Sequence, residues 1–409
     1  MAERDKQYGT SAFITFLIFP FLGFIRACGR LRAPLCGLTF VLFYALFGYC
    51  ISFADPRQDS FRIQGEFLSK YVPTFDAAYH QYTSGLEPDL LKIILFWLVG
   101  TFTKNPHVYF CIVGFLGAIF AYLTISRILK DYSIKKAWTY IAIVVLLLLV
   151  FKPIVIGGVR FWSAMGLASY AAIKVTIDRK YLWLIAFCIV PFMHFSMIAW
   201  LPIILIATFA NIPQKLLFWS AVSCCLLGTS ISGTSYQEAV GNIVTSIGIE
   251  NESVKGKTSF YTSDAATKEF DKSLTTHIMK VVDYANSAWF LLVVFSLKKI
   301  FSKAKRMRKF RLINKVWRIY LFFAAFGYLM TGLSVVGSRY QLFANVFVTL
   351  LFTLLLSNGD CSIVRIVKKL IIYKLIILSV PFAQMIYISI CGVSHEIFWA
   401  PLPYIIAFV

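Results

Sequence analysis

The chain has 409 residues, of which 59% are hydrophobic and only 14% are charged. A soluble domain carries nearer a quarter charged residues, so this composition excludes an ordinary soluble enzyme. The formal net charge is +21, which would suggest a nucleic-acid partner if the protein were soluble. In a membrane protein the same excess arises when Lys and Arg accumulate in cytoplasmic loops. The nine cysteines include no CxxC pair, which argues against a zinc site or a disulfide framework.

Apolar runs close to the length of a membrane-spanning helix recur along the whole sequence, separated by polar stretches. They predict an all-α polytopic membrane protein with about 12 transmembrane helices in a single transmembrane domain, residues 1–409. The predicted spans are residues 10–27, 34–53, 107–129, 137–154, 159–177, 181–193, 195–210, 216–232, 278–297, 317–336, 340–356 and 370–390. The further run 88–103 is too short to span and predicts a re-entrant or interfacial helix.

The distribution of charge predicts which loops face the cytoplasm. The loop 298–318 is rich in Lys and Arg and contains no acidic residue, which places it in the cytoplasm. Counting spans outward from it puts both termini outside, and makes residues 54–88 and 233–277 the two long outer loops. The predicted cytoplasmic loops then hold most of the 40 Lys and Arg residues. We therefore expect this basic face to contact membrane lipid, and we expect no nucleic-acid partner.

Charged residues at helix ends on the outer face are candidates for a site, because a charge inside a membrane protein is costly and usually marks a pathway or a reaction centre. Arg160 follows Gly157 and Gly158 at the predicted start of a helix. The glycines allow a sharp turn, and the free N–H groups of a helix start add a positive field that suits a phosphate or diphosphate. The alternative is an interfacial arginine that reaches the lipid headgroups.

His194 lies midway through an apolar stretch that is too long for one span and too short for two full ones. Pro191 favours a break there, so we expect the chain to turn around His194 as two short spans or one broken helix. Such a turn within the membrane needs a cavity lined by protein. The imidazole could serve as a base or as a donor to phosphate or sugar. The alternative is a packing histidine bonded to a carbonyl.

Arg339 lies in the sequence Val336-Gly337-Ser338-Arg339-Tyr340, which predicts a tight turn between two late spans on the same outer face. Together with Arg160 and His194, it predicts one site on that face. Trp162 and Tyr340 neighbour the two arginines in sequence and are candidates to stack on sugar rings.

The first outer loop adds four charged residues, Asp59, Arg62, Glu87 and Asp89. Glu87 and Pro88 immediately precede the short apolar run, which places a carboxylate where the helix dipole favours negative charge. Two interpretations remain open. Glu87 either caps the helix or holds a carboxylate over a site at the membrane surface.

Motifs of soluble and metal-dependent enzymes are absent from the sequence, including GxGxxG, Walker A, HExxH and GxSxG. The DxD signature of metal-dependent glycosyltransferases is absent as well. We therefore expect no metal and no cofactor, and a lipid-linked sugar donor in preference to a nucleotide sugar.

Taken together, these motifs resemble the Wzy/EpsG-type bacterial polysaccharide polymerases, which build O-antigen, capsule or exopolysaccharide. The resemblance rests on Asp59 in the first outer loop, Glu87-Pro88 before a short helix, the Arg160 helix start, His194-Phe-Ser196 in a broken apolar stretch, and Ser338-Arg339-Tyr340. The long outer loop 233–277 also fits. The family often shows Gly-Thr-Asp followed by Tyr in the first outer loop, where this chain has Arg57-Gln58-Asp59-Ser60-Phe61.

The resemblance implies a multi-pass protein of the bacterial inner membrane, related to the GT-C class, with its active site on the periplasmic face. Its substrate would be an oligosaccharide on undecaprenyl diphosphate, and the growing glycan would pass to the non-reducing end of another lipid-linked unit. A regulator of chain length is a possible partner. The implied catalytic residues are Arg160, His194, Arg339 and Glu87, and the implied substrate-binding residues are Asp59, Arg62, Trp162, Ser196 and Tyr340.

Three other functions fit parts of the pattern. An O-antigen ligase would share the donor but transfer to a different acceptor. A flippase for lipid-linked oligosaccharide would also need cations near a diphosphate, but its charges should line a central cavity between repeated halves. The sequence shows no such repeat. A purely structural membrane component would leave three charged residues on one face unexplained.

Overall fold

A computed structural model describes residues 2–54, 58–69, 74–84, 89–130, 137–210, 212–230, 274–304, 309–332 and 334–408. These residues are almost entirely helical and contain no β-strand, with a single isolated bridge between Ile51 and Val393. The predicted all-α class is therefore confirmed for this part of the chain. The predicted outer loop 233–277 lies outside it, apart from its last residues.

The helices are named in chain order. They are α1 Ala2–Ile18, α2 Pro20–Cys28, α3 Pro34–Tyr49, α4 Asp59–Ser69, α5 Phe75–Thr83, α6 Leu90–Gly100, α7 Pro106–Lys130, α8 Ala137–Val150, α9 Val159–Thr176, α10 Leu184–Met193, α11 Trp200–Phe209, α12 Gln214–Ser230, α13 Leu274–Ala304, α14 Phe310–Leu329, α15 Ser334–Asn358, α16 Cys361–Gly392, α17 Glu396–Trp399 and α18 Leu402–Phe408. Short 3-10 turns occur at Pro153–Gly158, Tyr181–Trp183, Phe195–Met197 and Met330–Gly332.

Four helical stretches of the described residues are long and apolar enough to cross a membrane. They are Pro106–Lys130, Ala137–Thr176, Val281–Phe301 and Val336–Asn358. Shorter apolar helices, among them Leu90–Gly100 and Trp200–Phe209, accompany them. The protein is thus a helical membrane protein, and the total of about 12 spans stays a prediction.

Two parts of the sequence differ from their prediction. The run 10–27, predicted as one span, is divided at Phe19 into α1 and α2, because Pro20 has no N–H to continue the first helix and instead starts the second. The stretch 54–88, predicted as a polar outer loop, contains α4 and α5. Thr74 caps α5 by accepting a hydrogen bond from the Ala77 N–H at 3.3 Å.

The first compact unit comprises Met1–Ile198 and Gln384–Val409, and α3, α7 and α9 form its centre. Their close approach depends on small residues. A Cβ on Gly114 would lie 2.4 Å from the Tyr44 carbonyl oxygen, and one on Gly117 would lie 2.0 Å from the Trp162 indole nitrogen. This tight packing fixes α9, which carries Arg160, against α7.

The second compact unit comprises Ala199–Ala383. Aromatic side chains fill its core, with Trp200 and Phe343 packed edge to face at 3.8 Å between ring centroids. The unit also buries a cation: Lys374 is 5% exposed, donates to the Asn286 side-chain oxygen at 2.8 Å and lies 4.2 Å from the centroid of the Trp289 ring. Lys374 belongs to α16, which covers the predicted span 370–390.

Candidate active site

The start of α9 positions Arg160 as the sequence predicts. A 3-10 turn over Pro153–Gly158 leads directly into α9, and Arg160 is the second residue of that helix. A Cβ on Gly157 would lie 3.6 Å from the Ser60 Cβ, so α4 packs against this turn. The glycine-containing turn therefore lies between α4 and the first turn of α9.

Asp89 binds the guanidinium of Arg160. It precedes α6 in the N-cap position, yet its side chain makes no capping hydrogen bond. Instead, Oδ2 accepts a hydrogen bond from the Arg160 guanidinium at 2.6 Å. The Asp89 side chain is fully buried and that of Arg160 is 16% exposed. A buried carboxylate is tolerated only when it is paired, and Arg160 supplies the opposite charge.

His194 approaches the same carboxylate from the end of α10. Its backbone is extended, with φ −154° and ψ 114°, and its N–H donates to the Val190 carbonyl at 2.9 Å. The predicted break is confirmed, since α10 contains Pro191 and ends two residues later, before the turn Phe195–Met197. The His194 Nδ1 atom lies 3.8 Å from Asp89 Oδ1, and the His194 side chain is 11% exposed.

Asp89, Arg160 and His194 form what we call the Asp89 cluster. Each lies where an apolar helix begins or ends, and all three belong to the first compact unit. The Phe161 ring packs edge to face on His194, with 5.9 Å between centroids. The arrangement offers a permanent cation for an anionic group, an imidazole able to take a proton, and a buried carboxylate that contacts both.

Asp59 and Arg62 lie on α4 and bind each other. The Arg62 guanidinium donates to Asp59 Oδ1 at 2.8 Å, and these side chains are 55% and 58% exposed. Glu66, one turn further along α4, accepts a 2.7 Å hydrogen bond from Lys92, which is 5% exposed. The Glu66–Lys92 pair joins α4 to the first turn of α6, the helix that follows Asp89. The binding of sugar by Asp59 and Arg62 stays a prediction.

Three predicted substrate-binding residues have different surroundings. Trp162 is fully buried and its ring stacks on Tyr44, with 5.4 Å between centroids. Tyr340 is 1% exposed and packs edge to face on Phe326 at 4.5 Å. Both rings are therefore core residues in this structure. Ser196 lies in the 3-10 turn directly after His194, beside the Asp89 cluster in the chain.

Arg339 lies in the second compact unit, within α15. The predicted tight turn over residues 336–340 is wrong, because the helix already starts at Ser334 and the turn lies at Met330–Gly332. Gly337 permits the contact between helix and turn, since a Cβ there would lie 2.7 Å from the Met330 carbonyl oxygen. The catalytic role of Arg339 stays a prediction.

Glu87, the carboxylate that the sequence favours, lies outside the described residues. Asp89, two positions later, is the acidic residue that the structure brings to Arg160 and His194. The sequence analysis names Asp89 among the charged residues without a role, because nothing in the local pattern reveals a partner at residue 160. Among the described residues, no group of three or more His, Cys, Asp or Glu side chains could hold a metal ion.

A second charged cluster occupies the opposite end of α9. Arg127 binds Asp178 through Nε at 2.9 Å and through a terminal guanidinium nitrogen at 2.5 Å, and Lys174 binds it at 3.0 Å. We call these residues the Asp178 cluster. Burial raises the pKa of the Asp178 carboxyl, but the hydrogen bonds from Arg127 and Lys174 outweigh burial and hold it below its ordinary value.

Comparisons with known proteins identify the family. The model of the EpsG family matches residues 65–402, which is most of the chain and includes the whole Asp89 cluster. No curated protein and no solved structure gave a match. The family match confirms the resemblance drawn from the sequence motifs and indicates a membrane polysaccharide polymerase of the glycosyltransferase type. The chain belongs to the EpsG family.

Proposed function

We propose that this protein is a membrane glycosyltransferase that extends a polysaccharide from lipid-linked repeat units. The observation that carries the proposal is the convergence of Arg160 and His194 on the fully buried Asp89. The donor would be a growing glycan on undecaprenyl diphosphate. The acceptor would be the non-reducing end of another lipid-linked unit, and no metal or nucleotide would take part.

Arg160 suits the diphosphate leaving group. The negative charge on that group grows as the glycosidic bond breaks, and a fixed cation that follows this charge lowers the barrier. A guanidinium stays protonated and binds phosphate through two parallel hydrogen bonds. Its position in the first turn of α9 adds the positive end of the helix dipole.

His194 suits the acceptor hydroxyl, which must lose a proton as it attacks the anomeric carbon. Attack opposite the departing diphosphate in a single displacement would invert the configuration of that carbon. Arg339 remains a proposed catalytic residue from the sequence pattern. Glu87, Asp59, Arg62, Ser196, Trp162 and Tyr340 remain proposed contributors from the sequence pattern.

The length of α9 supports a place for the Asp89 cluster at one membrane face. Fourteen positions separate Arg160 from Lys174, which is about 21 Å along a helix that rises 1.5 Å per residue. The Asp178 cluster would lie at the cytoplasmic face with the other basic loops. The Asp89 cluster would then lie at the periplasmic face of the inner membrane, in a GT-C-like bundle of about 12 spans.

Replacement of Arg160, His194 and Arg339 by Ala, one at a time, tests the proposal. Each variant is expressed in a strain that lacks its native polymerase, with protein amount measured in the membrane fraction. Lys180→Ala is the matched control, because Lys180 is an exposed cation beyond the other end of α9. We expect Arg160→Ala and His194→Ala to give short glycans with one repeat unit, and Lys180→Ala to give full-length polymer.

The product also separates the rival functions. Complete loss of repeats from the final acceptor would indicate a ligase, and accumulation of lipid-linked repeats on the cytoplasmic face would indicate a flippase. Normal long-chain polymer from all three alanine variants would contradict the proposed site.

A further inference from the structure

The two carboxylate oxygens of Asp89 face two different partners. Oδ2 accepts from the Arg160 guanidinium at 2.6 Å, and Oδ1 lies 3.8 Å from His194 Nδ1. Neutralising an arginine needs only the first of these contacts. The second places a fully buried carboxylate beside one particular nitrogen of the imidazole.

We propose that Asp89 is a positioning residue that orients His194 for proton transfer, a role that rests on the proposed function. Nδ1 lies 3.8 Å from Asp89 Oδ1, so we assign the other ring nitrogen, Nε2, to the acceptor hydroxyl. A carboxylate next to one imidazole nitrogen selects the tautomer and stabilises the imidazolium formed when the other nitrogen takes a proton.

The surroundings of His194 support this role. The imidazole is 11% exposed, and its backbone N–H and carbonyl are both engaged, the latter by the Met197 N–H at 2.9 Å. The Phe161 ring packs edge to face against the imidazole. The Nδ1–Oδ1 distance of 3.8 Å is longer than a hydrogen bond, and catalytic contacts often tighten to hydrogen-bond distance only in the complex.

The chemical step balances with these residues alone. The acceptor oxygen forms a bond to the anomeric carbon and passes its proton to His194 Nε2. The bond between the anomeric carbon and the diphosphate oxygen breaks, and its electron pair leaves with the diphosphate, next to Arg160. Asp89 stays ionised throughout and faces the imidazolium. One carboxylate thereby holds both the proton acceptor and the cation for the leaving group.

A simpler role for Asp89 is to neutralise Arg160, and a double-mutant cycle separates the two roles. If Asp89 acts through His194, the effect of Asp89→Asn disappears in a His194→Ala background. If Asp89 serves Arg160 alone, Asp89→Asn has its full effect in the His194→Ala background and no effect in an Arg160→Ala background.

The experiment uses the purified full-length protein in detergent with undecaprenyl-diphosphate-linked repeat units as donor and acceptor. We expect Asp89→Asn to lower kcat by about 100-fold, in the range for a lost proton-transfer function, while KM for the donor changes less than about threefold. Asp89→Glu, which keeps the charge, should recover part of kcat. Glu66→Gln is the matched control, since Glu66 is a carboxylate paired with a buried cation outside the cluster.

Three results would overturn the inference: wild-type kcat for Asp89→Asn, a rise in donor KM without loss of kcat, or losses for Asp89→Asn and His194→Ala that multiply in the double variant. Should Asp89→Asn not fold, the same comparison is made with Asp89→Glu. Failure of the proposed function has a different signature, because the wild-type protein itself would then form no polymer from these units.

Discussion

The two charged clusters at the ends of α9 differ in the groups that contact the carboxylate. Asp178 receives two nitrogens of Arg127 and the ammonium of Lys174, all within 3.0 Å. The three side chains share the same 16% exposure. Asp89 is fully buried, yet of its two cluster partners one lies at 2.6 Å and the other at 3.8 Å.

This difference indicates different uses of the same residue types. A bidentate arginine with a supporting lysine fixes the ends of α7 and α9 and stabilises the fold. Asp89 instead holds a fully buried charge between a permanent cation and an imidazole that can take a proton. Functional sites commonly retain such costly arrangements because activity requires them.

The largest effect on stability should come from Asp178→Asn. Hydrogen bonds to charged groups contribute about 1.5–3 kcal/mol, and Asp178 receives several, so we expect a loss of about 2–3 kcal/mol in the free energy of unfolding. Asp89→Asn leaves the Arg160 guanidinium, only 16% exposed, without its carboxylate and should also lower the stability, so activities are compared per folded molecule. Thermal or denaturant unfolding in detergent, followed by tryptophan fluorescence, gives the comparison. A loss of less than about 0.5 kcal/mol for Asp178→Asn would contradict the structural role of the Asp178 cluster.

A smaller effect should appear in the pH dependence of stability. The Asp178 pKa is lower in the folded protein than its ordinary value of 3.8, so its stabilising contribution is complete above the unfolded pKa. The contribution is lost as the pH falls through the folded pKa. We therefore expect the stability difference between the wild type and Asp178→Asn to be constant from about pH 5 to pH 7 and to shrink below about pH 4. A stability difference between the wild type and Asp178→Asn that grows as the pH falls would contradict a lowered pKa for Asp178.

Much of the helical fold could be predicted from hydrophobicity, because a membrane selects long apolar runs that satisfy their own backbone hydrogen bonds. The segments around α7, α8 and α9 agree with prediction within a few residues. The pattern was less informative where short amphipathic helices form. Helices α4 and α5 bury only a few side chains each, so neither makes an apolar run, and both were predicted as loop.

Site residues next to glycine or proline could be predicted, because these residues mark helix starts and breaks in the sequence. Site residues that meet only through tertiary contacts could not. Gly157 and Gly158 revealed the helix start at Arg160, and Pro191 revealed the break at His194. Asp89 carried no such sign. It lies 71 positions from Arg160 in the sequence, and only the packing of α6 near α9 brings the two residues together. The turn predicted at Arg339 was wrong because Gly337 lies within a continuous helix, where it permits close packing against Met330 and does not bend the chain.

The most direct test of the central claim compares Arg160→Ala with Arg127→Ala, two guanidiniums that each bind a carboxylate of the first unit. The measurement is the rate of polymer formation per folded molecule, with folded protein quantified by size-exclusion chromatography of the detergent-solubilised sample. We predict that Arg160→Ala lowers this rate by at least about 100-fold, as expected for loss of a group that stabilises the transition state. Arg127→Ala should lower the amount of folded protein while the rate per molecule stays within about twofold. Equal rates per molecule for the two variants would contradict the assignment of the Asp89 cluster as the reaction centre.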